Sequence, residues 1–100
     1  MSKYSDMAFE VEKSGSRGRI VGRDAVGNEA ELTFSLSGED RIVADHTGVP
    51  KQLSGKGVGS QLIEHLVSFA RETDRKIVPV CSFVQAKMVR SEEWRPLIAS

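Results

Sequence analysis

The sequence predicts an α+β domain: an antiparallel four-stranded meander, a helix, a fifth strand parallel to the fourth, and a C-terminal helix. Three observations predict this class. Alternating apolar and polar residues fill the first half of the chain, and helical periodicity begins only at Val58. A brief apolar segment, residues 77–80, then follows the first helix after a short polar connection. That order is typical of a β-loop-α-β unit, in which the two strands run parallel.

The four strands of the meander are predicted from their alternation and from the turns between them. Each has apolar residues at about every second position, and polar or glycine-containing turns separate them. The predicted strands are residues 9–12, 19–23, 29–36 and 41–49. In the fourth strand, strict alternation places His46 on the face of Ile42 and Ala44, and it places Asp45 and Thr47 on the opposite face.

The two helices are predicted from their periodicity and end signals. An apolar stripe with helical spacing runs through residues 58–72, after Pro50 has ended the fourth strand. Ser82 is followed three residues later by Gln85, which matches a capping box. The second helix is therefore predicted to begin after Ser82 and to end near Arg90.

Composition restricts the class of protein. The chain has 100 residues, and its 14 Lys and Arg balance its 14 Asp and Glu. We therefore expect one small domain over residues 1–100, with neither nucleic acid nor a membrane as partner. Cys81 is the single cysteine, and no apolar run is long enough to cross a bilayer. These features favour a cytoplasmic protein, present as a monomer or a weak homodimer paired through a sheet edge.

The strongest chemical signal is the glycine-rich segment from Ser54 to Ser60, between the fourth strand and the first helix. The first turn of a helix leaves main-chain N–H groups without partners, and its dipole favours an anion. Glycines remove the Cβ atoms that would hold a phosphate away, and Lys51 and Lys56 add positive charge. The spacing matches neither a P-loop nor the dinucleotide fingerprint. Composition alone fits equally well a helix start that binds no ligand.

This segment resembles the acetyl-coenzyme A loop of the GNAT acetyltransferase superfamily, whose pattern is Arg/Gln-x-x-Gly-x-Gly/Ala. Gly57 and Gly59 occupy the two small positions, and Ser54 stands where Arg or Gln is usual. Residues 20–90 more closely resemble a short GNAT-like subfamily through three motifs. These motifs are HTGVP at 46–50, GKGVGS at 55–60 and VPVCSFV at 78–84.

The resemblance implies a minimal GNAT-like fold that binds acetyl-coenzyme A. In GNAT proteins the fourth and fifth strands splay apart, and the main chain of the fourth pairs with the pantetheine amides in the gap. By resemblance, this role falls to Thr47, Gly48 and Val49. The pyrophosphate role falls to the N–H groups of six consecutive residues: Gly55, Lys56, Gly57, Val58, Gly59 and Ser60. The implied activity is N-acetyltransferase, moving an acetyl group from acetyl-CoA to an unidentified amine acceptor.

Two residues are candidates for the chemistry. Cys81 ends the fifth strand just before a helix, a position that lowers a thiol pKa. It is a candidate transient acyl acceptor, or the acid that protonates the leaving thiolate; the alternative is a small buried apolar side chain. His46 lies on the neighbouring strand and is expected to approach and activate Cys81. The alternative is a histidine hydrogen-bonded to the main chain. The spacing of these residues suggests no metal site.

The chain departs from full-length GNAT enzymes in two ways. The second helix lacks the tyrosine that many of them use as an acid, and the sole tyrosine is Tyr4. Full-length GNAT enzymes place helices of the acceptor site after their first strand, whereas here only residues 13–18 separate the first two strands. These departures favour the alternative, a non-catalytic acyl-CoA-binding sensor or carrier; an interaction domain without a ligand is a third possibility. Lys87 and Arg90 are interpreted either as contacts of the adenosine 3′-phosphate or as ordinary surface charge.

Overall fold

The computed structural model describes residues 7–99. The elements lie in the predicted order: β1 (Ala8–Ser14), β2 (Arg17–Arg23), β3 (Glu29–Ser37), β4 (Arg41–Gly48), α1 (Val58–Glu72), β5 (Lys76–Pro79) and α2 (Ser82–Arg90). Short 3-10 turns occupy Lys51–Leu53 and Arg95–Leu97. Among these described residues, no helix has the length and apolar character needed to cross a bilayer.

The five strands form one mixed sheet in the order β1-β2-β3-β4-β5. The first three pairs are antiparallel, and β5 pairs parallel with β4. Tight turns at glycines with positive φ connect the antiparallel strands, whereas the parallel pair needs the crossover through α1. This topology confirms the predicted α+β class.

Both helices contribute to one apolar core on one face of the sheet. Leu32 and Phe34 of β3 are fully buried, as are Leu66 of α1 and Met88 of α2. All four belong to the same cluster of buried side chains. Removing one of these side chains to the β-carbon costs about 2–5 kcal/mol, because the surrounding atoms close the cavity only in part.

The opposite face of the sheet, called here the charged face, carries arginines and carboxylates. Arg19 donates hydrogen bonds from Nε to Glu12 at 2.8 Å and from Nη1 to Glu31 at 2.9 Å. Arg23 donates to Glu29 at 2.7 Å. Hydrogen bonds from Arg19 and Arg23 hold the pKa of Glu12 below its ordinary value. These ion pairs are only partly buried and stay in contact with solvent, so each contributes little to stability.

A β-bulge in β4 makes the predicted face of His46 wrong. Ala44 and His46 pair with consecutive residues of β3, which leaves Asp45 as an extra residue. One extra residue shifts the alternation that follows it, so Thr47 lies on the same face as Ala44. His46 and Asp45 instead share the charged face, where Asp45 accepts a hydrogen bond from the Thr33 hydroxyl.

The start of α2 also differs from the prediction. Cys81, in an extended conformation, is the N-cap residue, and Ser82 is the first helical residue. No side-chain cap hydrogen bond forms, so the predicted capping box between Ser82 and Gln85 is wrong. The N-terminus of α2 therefore begins directly at the cysteine.

Candidate functional site

Two glycines give the loop before α1 its shape. Gly55 and Gly57 both have a φ of 76°, and Gly57 is the N-cap residue of α1. A residue with a Cβ atom is strained there by about 1–2 kcal/mol. A Cβ atom placed on either glycine would meet no other atom within 4 Å. The backbone conformation therefore requires these glycines, and the space beside them is open.

Gly59 is required for a different reason. A Cβ atom at this position would lie 2.6 Å from Cζ of Phe83, far inside van der Waals contact. The ring of Phe83, from α2, therefore packs directly against the first turn of α1. Sequence reasoning assigned all three glycines to the approach of a phosphate, and it did not find this contact between the two helix starts.

The main-chain N–H groups of this loop have no partners within residues 7–99. Ser54 N donates to Lys51 O at 3.2 Å, and Gln61 N donates to Gly57 O at 3.1 Å. Between them, no N–H group from Gly55 to Ser60 donates a hydrogen bond to a described residue. The first turn of α1 contains no acidic residue. Donors of this kind, with the positive end of the helix dipole, attract an anion.

The loop forms one wall of a groove of about 250 Å³. Val49, just beyond the end of β4, lies at this groove, and α2 forms the other wall with Phe83 and Lys87. Nζ of Lys87 lies 5.8 Å from the centroid of the Phe83 ring, in the range of a cation–π contact. Lys51 and Lys56 were predicted to charge this site, but both are exposed and neither lines the groove.

The seam between β4 and β5 is short, and it ends before β4 does. The two strands pair only over Arg41–Ala44 and Lys76–Pro79. Just beyond this pairing, Cys81 N donates a main-chain hydrogen bond to Ala44 O at 2.9 Å. Beyond it β4 runs on to Gly48 without a parallel partner among the described residues. The parallel pairing therefore ends at the place where the resemblance implied a gap between the strands.

Cys81 lies where this pairing ends, partly buried. Its Sγ is hydrogen-bonded to Oγ1 of Thr47 at 3.4 Å, across the seam. Burial raises the pKa of the thiol, but the Thr47 hydrogen bond and the nearby N–H groups of Val84 and Phe83 lower it. The resulting pKa is below the ordinary value of 9.0. A lowered pKa increases the fraction of reactive thiolate.

The structure brings Thr47, and not His46, into contact with Cys81. His46 is exposed on the charged face, and its Nε2 lies 3.3 Å from the position that a Cβ atom on Gly48 would take. Sequence reasoning assigned only main-chain groups to Thr47, because it missed the bulge that turns the hydroxyl toward the seam. Tyr4 lies outside the described residues. Within 7–99, no three His, Cys, Asp or Glu side chains group as metal ligands would.

Comparison with known proteins identifies the family. The sequence profile of the family described as GCN5-related N-acetyl-transferase matches residues 19–97. The chain belongs to the GCN5-related N-acetyltransferase family. The matched range contains the glycine loop, the β4–β5 seam and Cys81, so the GNAT resemblance is confirmed. Members of this family typically use acetyl-CoA, and the fold implies an acyl-CoA and an acceptor substrate.

A solved structure supports the same placement for this member of the GCN5-related N-acetyltransferase family. An NMR solution structure of a GCN5-like protein from Staphylococcus aureus superposes with a TM-score of 0.67 at 29% sequence identity. The alignment covers 100% of this chain and 92% of that chain. No curated protein sequence matches the chain.

Proposed function

We propose that this protein binds acetyl-coenzyme A and transfers the acetyl group to an amine. One observation carries the proposal: the residues from Gly55 to Ser60 offer unpaired N–H groups beside an open groove, at the start of a 15-residue helix. A diphosphate is the part of coenzyme A that such donors suit. Gly55 and Gly57 are both in the left-handed conformation, which occurs in the anion-binding backbone turns known as nests.

The seam between β4 and β5 suits the pantetheine arm. Thr47, Gly48 and Val49 lead from Cys81 to the groove, along an edge that has lost its parallel neighbour. An extended amide-containing chain adds to such an edge through main-chain hydrogen bonds, as an added β-strand does. We therefore assign these three residues to the pantetheine amides, with the thioester end near Cys81.

The acceptor is assigned to the charged face. A cavity of about 440 Å³ lies there, lined by Gly48, Val49 and Pro50 together with Arg19, Glu29 and Glu31. It therefore adjoins the same strand end as the groove, from the opposite side of the sheet. His46 does not line this cavity, but its Nε2 lies 3.3 Å from the position that a Cβ atom would take on Gly48, which does. We therefore assign His46 to the amine, as the base that removes a proton, and no longer to the activation of Cys81.

Cys81 is assigned to the thioester. Bound acetyl-coenzyme A supplies an activated acetyl group with a thiolate leaving group. The Cys81 thiolate attacks the acetyl carbonyl, the bond to the coenzyme A sulfur breaks, and coenzyme A leaves as a thiolate that takes a proton from water. The amine then attacks the acetyl-cysteine and releases the thiolate of Cys81. The lowered pKa of Cys81 supports this nucleophilic role over the role of acid.

The proposal is tested by titrating coenzyme A into the protein and recording amide chemical shifts. We expect the largest changes from Gly55 to Ser60, and we expect Gly57→Glu to abolish binding because it places a carboxylate in the loop. Gly15→Glu is the matched control. Gly15, in the β1–β2 turn, has a similar φ of 63° and equally open surroundings. Absence of shift changes in the parent protein would refute the proposal.

A second candidate function is a non-catalytic acyl-CoA sensor or carrier. Two observations favour it: β1 connects to β2 through a tight turn without a helix, and α2 contains no tyrosine. The first leaves the acceptor side open, and the second removes the acid that many full-length GNAT enzymes use. Incubation with acetyl-CoA and a panel of amines separates the candidates, because only an enzyme releases free coenzyme A thiol above the uncatalysed rate. Binding without release would establish the sensor or carrier.

A further inference from the structure

We infer that Lys87 is a second ligand of the diphosphate, held by α2 across the groove from the glycine loop. This inference rests on the proposed function, because it assigns a further contact in the same groove. It also defines which class of acyl donor the groove binds. With a main-chain wall on one side and an ammonium on the other, the groove selects thioesters that carry a diphosphate over pantetheine thioesters without one.

The position of Lys87 is set by a short chain of contacts. Phe83 packs on Gly59, which has no Cβ atom to keep the ring away. Lys87 follows Phe83 by four residues on α2, so the two side chains lie on the same helix face. The ammonium lies over the ring, 5.8 Å from its centroid. The ring therefore connects the position of this charge to the first turn of α1, where the unpaired N–H groups are.

The charge of Lys87 is available to a ligand. Of the described residues that line the groove, only Lys87 has an ionisable side chain. It forms no ion pair with another described residue, and no carboxylate lines the groove beside it. The N–H groups supply partial charges and fixed direction, whereas the ammonium supplies a full charge with adjustable geometry. The two walls therefore offer a diphosphate two kinds of contact, directional main-chain donors and a full positive charge.

The neighbouring cation on α2 provides a matched control. Arg90 is exposed, belongs to the same helix and lies outside the groove. Lys87→Gln and Arg90→Gln remove the same formal charge from the same helix. A general electrostatic effect of net charge would weaken anion binding in both variants, whereas a direct contact affects only Lys87→Gln. Lys87→Arg keeps the charge and tests whether any cation at this position is sufficient for binding the diphosphate.

The experiment measures dissociation constants by calorimetry for coenzyme A, 3′-dephospho-coenzyme A and pantetheine. We expect Lys87→Gln to weaken the binding of coenzyme A and of 3′-dephospho-coenzyme A by the same factor, about tenfold, as for loss of one charge-assisted hydrogen bond. Its affinity for pantetheine should equal that of the parent protein. Lys87→Arg and Arg90→Gln should bind 3′-dephospho-coenzyme A, which has no 3′-phosphate for Arg90 to contact, within about twofold of the parent, a difference below about 0.5 kcal/mol on the scale of about 1.4 kcal/mol per tenfold.

Two results would overturn the inference while leaving the proposed function intact. In one, the parent protein binds coenzyme A and Lys87→Gln binds it equally well. In the other, Lys87→Gln weakens the binding of coenzyme A but not that of 3′-dephospho-coenzyme A, which would place Lys87 at the 3′-phosphate. A parent protein that does not bind coenzyme A would overturn the proposed function and this inference together. Thermal unfolding of each variant confirms that the fold is retained.

Discussion

Replacement of Gly59 by alanine tests the contact that joins the two helix starts. The new Cβ atom would lie 2.6 Å from Cζ and 2.9 Å from Cε2 of Phe83. Carbon atoms pack best about 3.5–4.0 Å apart, so the ring must move by about 1 Å. No other atom of the described structure approaches closer than these ring atoms. The effect of the substitution therefore depends on Phe83.

Two opposing terms set the magnitude. Overpacking of this kind destabilises by about 1–3 kcal/mol. Alanine in place of a helical glycine stabilises by about 0.5–1 kcal/mol, because the unfolded chain has less freedom to lose. The ring of Phe83 is 37% exposed and has room to swing outward, which favours the lower part of the overpacking range. We expect a net loss of about 0.5–2 kcal/mol for Gly59→Ala.

The same substitution should change sign when the ring is absent. In a Phe83→Ala background the clash does not occur, so Gly59→Ala should stabilise by about 0.5–1 kcal/mol. Urea denaturation of the parent, both single variants and the double variant gives the coupling free energy, expected at about 1–3 kcal/mol. An equal loss of stability from Gly59→Ala in both backgrounds would show that the Phe83 ring is not the reason for this glycine.

Four further predictions concern the site and the core. Thr47→Val removes the hydrogen bond to Cys81 and should raise the pKa of the thiol. The rise in the rate of iodoacetamide alkylation with pH should then occur at a higher pH, and an unchanged pH profile would contradict the assignment. Because the pKa of Cys81 in the folded state is below 9.0, its thiolate adds stability above that pH. This contribution is lost as the pH falls through the lowered pKa, and Cys81→Ala should abolish the dependence in urea titrations. In acetyl transfer, Cys81→Ala and His46→Ala should each lower kcat by about 10²–10⁴-fold, and parent rates in both would refute the catalytic roles. Leu66→Ala should cost about 2–5 kcal/mol by urea denaturation, and a loss under 1 kcal/mol would show that Leu66 is not packed as described.

The glycine loop shows how one motif combines separate physical requirements. Gly55 and Gly57 allow a backbone with positive φ, whereas Gly59 allows close packing of an aromatic ring. A substitution at Gly57 should therefore affect the direction of the N–H groups, and one at Gly59 should affect the wall that carries Lys87. The sequence pattern shows all three positions as small residues and does not distinguish their roles.

The amino-acid sequence by itself determined the order and type of the elements. Alternation over a few residues and helical spacing over fifteen are local properties, and they predicted the meander, α1 and the parallel crossover strand. The segment from Ser54 to Ser60 was also recognisable, because glycines at a strand-to-helix junction leave donors exposed wherever the rest of the chain lies. These features depend on neighbours along the chain.

Only the tertiary structure decided which side chains meet at the site. The bulge at Asp45 arises from the register of β4 against β3, and it exchanged the places of His46 and Thr47 relative to Cys81. The groove wall formed by Phe83 and Lys87 depends on where α2 packs against the first turn of α1. Both outcomes are set by pairing and packing between distant segments. A single residue of register moves a side chain to the other face without leaving a trace in local periodicity.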